Sequence, residues 1–184
     1  MDASTNREHF RSLFEAHFHE ISAYCLRRLS TADANDAVSE VFVTVWRRIE
    51  ELPQPDSVRL WLFGVARNAV RNRNRSLRRS QRLYARLNSY RPVGDAGPET
   101  QVLMAAEHAS VIEALEMLPD DDREVVRLRL WEEMSVAETA AILDITAKAV
   151  SKRYSRALQK LERALAATVA APIGGDDTVQ GGDR

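Results

Sequence analysis

The chemistry most concentrated in this 184-residue chain is cationic. Residues 57–94 hold ten arginines and no Asp or Glu, whereas the rest of the chain sets sixteen Lys and Arg against twenty-seven acids. The formal net charge of −1 therefore hides a segregated field, strong enough locally to steer an anionic ligand. A second basic run follows later. Lys148, Lys152, Arg153, Arg156 and Lys160 lie between Ala147 and Leu161 with no acid among them, and Ser151 adds a hydrogen-bonding neighbour. Side chains of these types hold phosphates, and Arg or Lys can read guanine edges in a major groove.

Other chemistries are poorly supplied. The four histidines are His9, His17, His19 and His108, and the closest two stand two apart, hence on different faces of a helix. Cys25 is the only cysteine, which excludes an intrachain disulfide and a cysteine-based zinc site; it reads as a core thiol. Asp120, Asp121 and Asp122 read as a solvated helix start, where backbone amides favour negative charge, rather than as a carboxylate cluster. P-loop, nucleophile-elbow and glycine-fingerprint patterns are absent. The expectation is a protein with no catalytic residue, no metal and no cofactor. The start of the chain is polar, and no apolar run approaches the roughly 18 residues that span a bilayer. A reduced, cytoplasmic protein without membrane insertion is expected.

Helices must position these charges. Phe10, Leu13, Phe14, Phe18, Ile21, Tyr24 and Cys25 recur at three- and four-residue steps, one face of a helix. Residues 30–33 read as turn and cap, and a second helix then buries Val38, Val41, Phe42, Val45, Ile49 and Leu52. Pro53 and Pro55 end that helix, because proline lacks the amide donor and crowds the preceding turn. A third helix starts near Ser57 with Val58, Leu62, Val65, Ala66 and Ala69 inward, then becomes arginine-rich to about Arg86. Trp61 and Phe63 on it read as packing residues rather than platforms for stacked bases. Most of the seven glycines and six prolines sit near 92–98 or in the tail. The predicted fold is all-α: two small helical domains joined by a flexible linker, the second containing a helix-turn-helix. The boundaries are 1–9 for an N-terminal extension, 10–90 for the first domain, 91–108 for the linker with helix resuming near Gln101, 109–166 for the second domain, and 167–184 for a disordered tail.

The helix-turn-helix follows from local signals. Ser135 and Glu138 form a capping box, Ala140 allows close helix approach, and Thr146 is a second N-cap ahead of Val150. Asp144 occupies the turn position that is often glycine, and Asp tolerates left-handed geometry better than most residues.

Residues 118–161 resemble the fourth conserved region of sigma factors, residues 33–47 the family's polymerase-binding helix, and residues 61–68 the helix that follows it. Only two of that family's domains fit this length, so the chain resembles the extracytoplasmic-function type across residues 10–165. The resemblance implies a factor that directs core RNA polymerase to specific promoters and assists melting. It implies that Asp36, Glu40, Val43 and Arg47 dock on the beta-prime clamp helices, although Asn35 and Ser39 stand where the family often has an acid and Gln. It places minus-ten DNA at Gln54, Asp56, Ser57, Arg67, Asn68, Arg71, Asn72, Arg75 and Arg78, with Asn72 standing where Asp is common. Minus-thirty-five DNA falls to Lys148, Ser151, Lys152, Arg153 and Arg156, and residues 123–131 lie against the beta flap. An anti-sigma factor is a further partner that the resemblance allows. The nearest rival is a two-domain regulator that binds DNA alone; it would need no Asp36 and Glu40 surface.

Overall fold

The computed structural model describes residues 3–87 and 109–170, with side chains over 4–80 and 110–166. Three helices form the first unit: α1 (Ala3–Leu26), α2 (Thr31–Arg47) and α3 (Pro55–Leu87). Four form the second: α4 (Ala109–Glu116), α5 (Asp120–Leu130), α6 (Val136–Leu143) and α7 (Ala147–Ala170). No strand occurs among the described residues. The expected linker over 91–108 and the tail beyond 170 lie outside them.

The caps are chemical. Ser30 sits in extended geometry ahead of α2, and its hydroxyl accepts from the Asp33 amide. At α6 the capping box closes both ways: the Ser135 amide donates to Glu138 at 2.7 Å, and the Glu138 amide donates to the Ser135 hydroxyl at 3.2 Å. Hydrogen bonding from Ser135, side chain before backbone, holds the Glu138 carboxyl below its ordinary range. Residues 3–9, expected as an extension, are instead the first turns of α1, where Asn6 donates to Glu50 at 2.9 Å.

The first unit packs α1 and α2 against the first half of α3. Ile21, Tyr24 and Cys25 meet Val38, Val41, Phe42 and Val45 and the inward face Val58, Leu62, Phe63, Ala66, Ala69 and Val70. Phe10, Phe14 and Phe18 extend this core as a ladder of rings around Phe42, with Phe14 and Phe42 centroids 4.7 Å apart. Burial pushes the Cys25 thiol up to about 11, so it packs as an inert group. A smaller core of Ala114, Leu115, Leu118, Val126, Ala157 and Leu161 belongs to the second unit alone.

The two units are not separate bodies. Val125, Leu128, Met134, Ile142, Leu143 and Val150 of the second unit join the apolar cluster of the first. The two helical domains expected from the sequence are present, and they meet through this shared cluster, with α6 in contact with α3.

Candidate nucleic-acid interface

The helix-turn-helix is built by its turn. The α6 carbonyls are closed off where the Ile145 amide donates to Ala140 at 3.1 Å, and Asp144 takes φ 55 and ψ 50. This is the left-handed conformation that its short polar side chain tolerates. Thr146 then caps α7, accepting from the Ala149 amide at 3.2 Å. Val150 is fully buried and Ala140 partly so, which locks α7 across α6.

This geometry leaves Lys148, Ser151 and Lys152 exposed on the first turns of α7. Two of the expected readers are committed elsewhere. Arg153 pairs with Asp121 at 2.8 Å, and Arg156 grips Asp122 through Nη2 at 2.7 Å and Nε at 3.2 Å. That hydrogen bonding to Asp122 raises the Arg156 pKa above its ordinary value. Asp122 itself is only 2% exposed, with Lys160 3.7 Å away, so the solvated reading of Asp120 to Asp122 fails at its third member. Asp122 ties α5 to α7, and only Asp120 and Asp121 remain in solvent.

On α3, Arg71, Asn72, Arg75 and Arg78 are exposed, with Arg67 partly covered and Asn68 exposed beside it. Arg67, Arg71 and Arg75 form no ion pair with any described residue, whereas Arg78 reaches Asp120 at 3.0 Å. Gln54, Asp56 and Ser57 are exposed at the start of α3, where the Ser57 amide donates to the Gln54 carbonyl at 2.8 Å. Phe63 is fully buried as expected of a packing residue. Trp61 is only partly buried, and it lines a groove with Ser57, Arg67, Asn68 and Arg71. On α2, Asp36, Glu40, Val43 and Arg47 share one exposed face, with Val43 46% accessible.

Family models match both halves: Sigma-70 region 2 over residues 13–80 and Sigma-70, region 4 over residues 108–161. The RNA polymerase sigma factor CnrH of Cupriavidus metallidurans is 34% identical over 144 residues, covering 72% of this chain and 73% of that protein. The chain belongs to the extracytoplasmic-function sigma factors of the sigma-70 family. The ECF RNA polymerase sigma factor SigD of Mycobacterium tuberculosis is 30% identical over 165 residues, covering 85% of this chain and 77% of that one. CnrH solved in complex with the cytosolic domain of CnrY matches at TM-score 0.64 and 28% identity, over 90% of this chain and 92% of that one. RpoE of Bartonella quintana, solved with the anti-sigma factor NepR, shares the fold at TM-score 0.67 and 20% identity, over 85% and 96%. As a sigma factor this chain is a transcription initiation protein that directs RNA polymerase to promoters.

Several residues of this sigma factor went unread in the sequence. Arg73 was passed over among its basic neighbours, yet its Nε lies 2.8 Å from Asp33 and its Nη2 bonds Asp36, tying α3 to α2. Arg28 was equally silent. Its side chain is 3% exposed, stacks 3.6 Å from the Tyr24 ring, and donates to Glu124 at 3.0 Å and Glu132 at 3.0 Å across the seam between the units. Burial raises the Tyr24 hydroxyl pKa strongly, so the phenol stays a donor to Glu124 at 3.1 Å. No spacing rule links an arginine on α1 to a glutamate about a hundred residues later.

Proposed function

We propose that three surfaces divide the work of promoter selection. The α2 face of Asp36, Glu40, Val43 and Arg47 docks on the polymerase's beta-prime clamp helices, where a mixed-charge stripe favours specific polar docking. The loop at Gln54, Asp56 and Ser57, with Arg67, Asn68, Arg71, Asn72, Arg75 and Arg78, holds the minus-ten element during melting. Arginine suits this task because it binds phosphates and stacks on unpaired bases. On α7, Lys148, Ser151 and Lys152 read the minus-thirty-five element, and α5 lies against the beta flap. Arg153 and Arg156 contribute chiefly by orienting α7 through Asp121 and Asp122. The protein has no catalytic step of its own, acts in the cytoplasm, and accepts an anti-sigma factor as its antagonist.

The observation that carries this reading is the coupling, in one chain, of a capped helix-turn-helix to an α3 face on which Arg67, Arg71 and Arg75 form no ion pair with any described residue. The test is transcription by purified core polymerase with this protein on a panel of promoter variants at several salt concentrations. Lys152→Ala should change preference at one upstream position by roughly 1–3 kcal/mol. Arg75→Ala should weaken every promoter similarly and lower the salt slope by about one. Charge reversal at Asp36 and Glu40 should weaken polymerase binding with helicity intact. Upstream preference that survives substitution of Lys148, Ser151 and Lys152 would remove α7 as the reader. Tight specific binding to duplex DNA without polymerase would favour an ordinary regulator.

A further inference from the structure

Positive charge goes unanswered between α3 and α5. A cleft of about 640 Å³ is lined there by eight arginines and three carboxylates. The carboxylates do not balance the arginines, because each is already engaged. Asp120 lies 3.0 Å from Arg78 and 3.5 Å from Arg123, Asp121 lies 2.8 Å from Arg153 of α7, and Glu124 lies 3.0 Å from Arg28. On the α3 wall, Arg67, Arg71, Arg75 and Arg79 form no ion pair with any described residue. They stand at four-residue steps and so make one row along the helix.

The far wall carries a second, independent observation. The Arg28 side chain is only 3% exposed and is held by Glu124 and Glu132 over the Tyr24 ring, yet its Nη2 is buried without a hydrogen-bond partner. The Nε atoms of Arg123 and Arg127 on α5 are likewise buried and unpartnered. Buried donors are nearly always satisfied, and a guanidinium can only donate. Three such orphans around one cleft call for an acceptor that carries negative charge. The local field points the same way: burial first, then the Arg28 charge, draws the Arg127 guanidinium below its ordinary pKa, against the opposing pull of Glu116 and Glu124.

Size narrows the ligand. Cavities of about 300–1,000 Å³ take whole small molecules, so this cleft is roomier than a single phosphate ion needs and too small for a duplex. At about 1.5 Å of rise per residue, the row from Arg67 to Arg79 runs about 18 Å, which favours several linked phosphates over one. Arginine is the side chain suited to them, because its planar fork grips two phosphate oxygens at once.

We propose that the cleft between α3 and α5 is a binding site for a polyphosphate chain, free or carried by a nucleotide. The α3 row takes phosphate oxygens from one side, and Arg28, Arg123 and Arg127 take them from the other. The ligand supplies the acceptors that the orphaned guanidinium nitrogens lack. The site goes beyond promoter recognition: its far wall holds none of the residues assigned above to DNA, and binding stands whether or not that assignment does.

The test is isothermal titration calorimetry of the full chain in salt of about 0.15 M, with tripolyphosphate, orthophosphate, GTP and ATP as probes. Tripolyphosphate should bind one per chain, about tenfold or more tighter than orthophosphate. A nucleotide that binds tighter than tripolyphosphate would identify a nucleotide as the source of the chain, and equal or weaker nucleotide binding would identify the free polyphosphate. Arg79→Gln, at an exposed position of α3, should weaken tripolyphosphate about fivefold or more, and Arg127→Gln on the far wall should do so at least equally. Lys152→Gln removes the same charge from an exposed position of α7 outside the cleft, and should change the affinity by less than about twofold. Absence of saturable binding would overturn the proposal. So would several ions per chain, or a loss in Lys152→Gln equal to that in the cleft variants, since either means diffuse attraction to basic side chains. Parent-like binding by Arg79→Gln, folded by circular dichroism, would overturn it as well, and that exposed variant keeps the test decisive if Arg127→Gln does not fold.

Discussion

Removing the Asp122 carboxylate should loosen α7 from α5 and so disturb DNA reading without touching a DNA-facing residue. The Asp122 side chain is 2% exposed, accepts two hydrogen bonds from Arg156 at 2.7 and 3.2 Å, and has the Lys160 ammonium 3.7 Å away. Charge-assisted hydrogen bonds of this kind contribute about 1.5–3 kcal/mol. The carboxylate also sits in the first turn of α5, where the helix dipole adds about 0.3–1 kcal/mol. Arg156 is half exposed, so once released it is rehydrated and leaves no buried charge behind on its side. Asp122→Ala should therefore destabilise the second unit by about 2–3 kcal/mol. Asp122→Asn, which keeps an acceptor but loses the charge, should cost about half as much. At about 2–4 °C per kcal/mol for a protein of this size, thermal unfolding followed by circular dichroism should fall by at least about 4 °C. Arg156→Ala should lower the midpoint in the same direction, whereas Lys152→Ala should leave it in place. A midpoint for Asp122→Ala within 1 °C of the parent would refute the reasoning. In that case Arg156 is free to read bases, and its pairing with Asp122 contributes nothing to the fold.

Three further outcomes follow from single positions. Burial raises the Cys25 pKa from 9.0 to about 11, so the thiol stabilises the fold fully below pH 9 and that contribution is lost as pH climbs through 11; the difference in urea midpoint between the parent and Cys25→Ala should shrink over this window by an amount equivalent to about 2–3 kcal/mol. Gly64 lies within α3, and a Cβ placed there meets nothing within 4 Å; Gly64→Ala should stabilise the helix by about 0.5–1 kcal/mol in denaturant titration, and a loss of stability would show the groove to be tighter than its geometry. Asp144→Gly relieves the left-handed backbone at φ 55 and should change stability by no more than about 1 kcal/mol in the stabilising direction; a clear loss would mean that the Asp144 side chain holds the turn through a contact of its own.

The helices themselves were largely legible because each carries its own signals. Ser30, Ser135 and Thr146 mark starts by hydrogen-bond chemistry that acts over three residues, and the structure shows each of them capping. The inward stripes of α1, α2 and α3 obey a period that is equally local, from Phe10 through Cys25 and from Val38 through Val45, although α2 ends at Arg47, before the Ile49 and Leu52 that the pattern assigned to it. Trp61 was harder, since hydrophobicity places it on α3 but not on the side of α3 that the second unit half covers. The helical state of residues 3–9 was not read for a related reason: they carry too little apolar pattern to announce a helix, yet Asn6 finds Glu50 once α1 lies beside the end of α2.

Charge was the least legible property, because the role of an ionic group depends on what approaches it. Lys152 and Arg156 are four apart on α7 and indistinguishable by spacing, yet the first faces solvent and the second holds a buried aspartate from α5. Arg28, Glu124 and Glu132 each look like ordinary surface residues within their own helices or turns. Their pairing is decided by the packing of Leu128, Met134 and Ile142 onto the first unit, which brings about a hundred residues of separation down to 3.0 Å. A buried pair of this kind is weak evidence for net stability, since the desolvation of both ions offsets most of their attraction. It is better suited to specifying one arrangement of two bodies, because leaving either ion buried without its partner is costly.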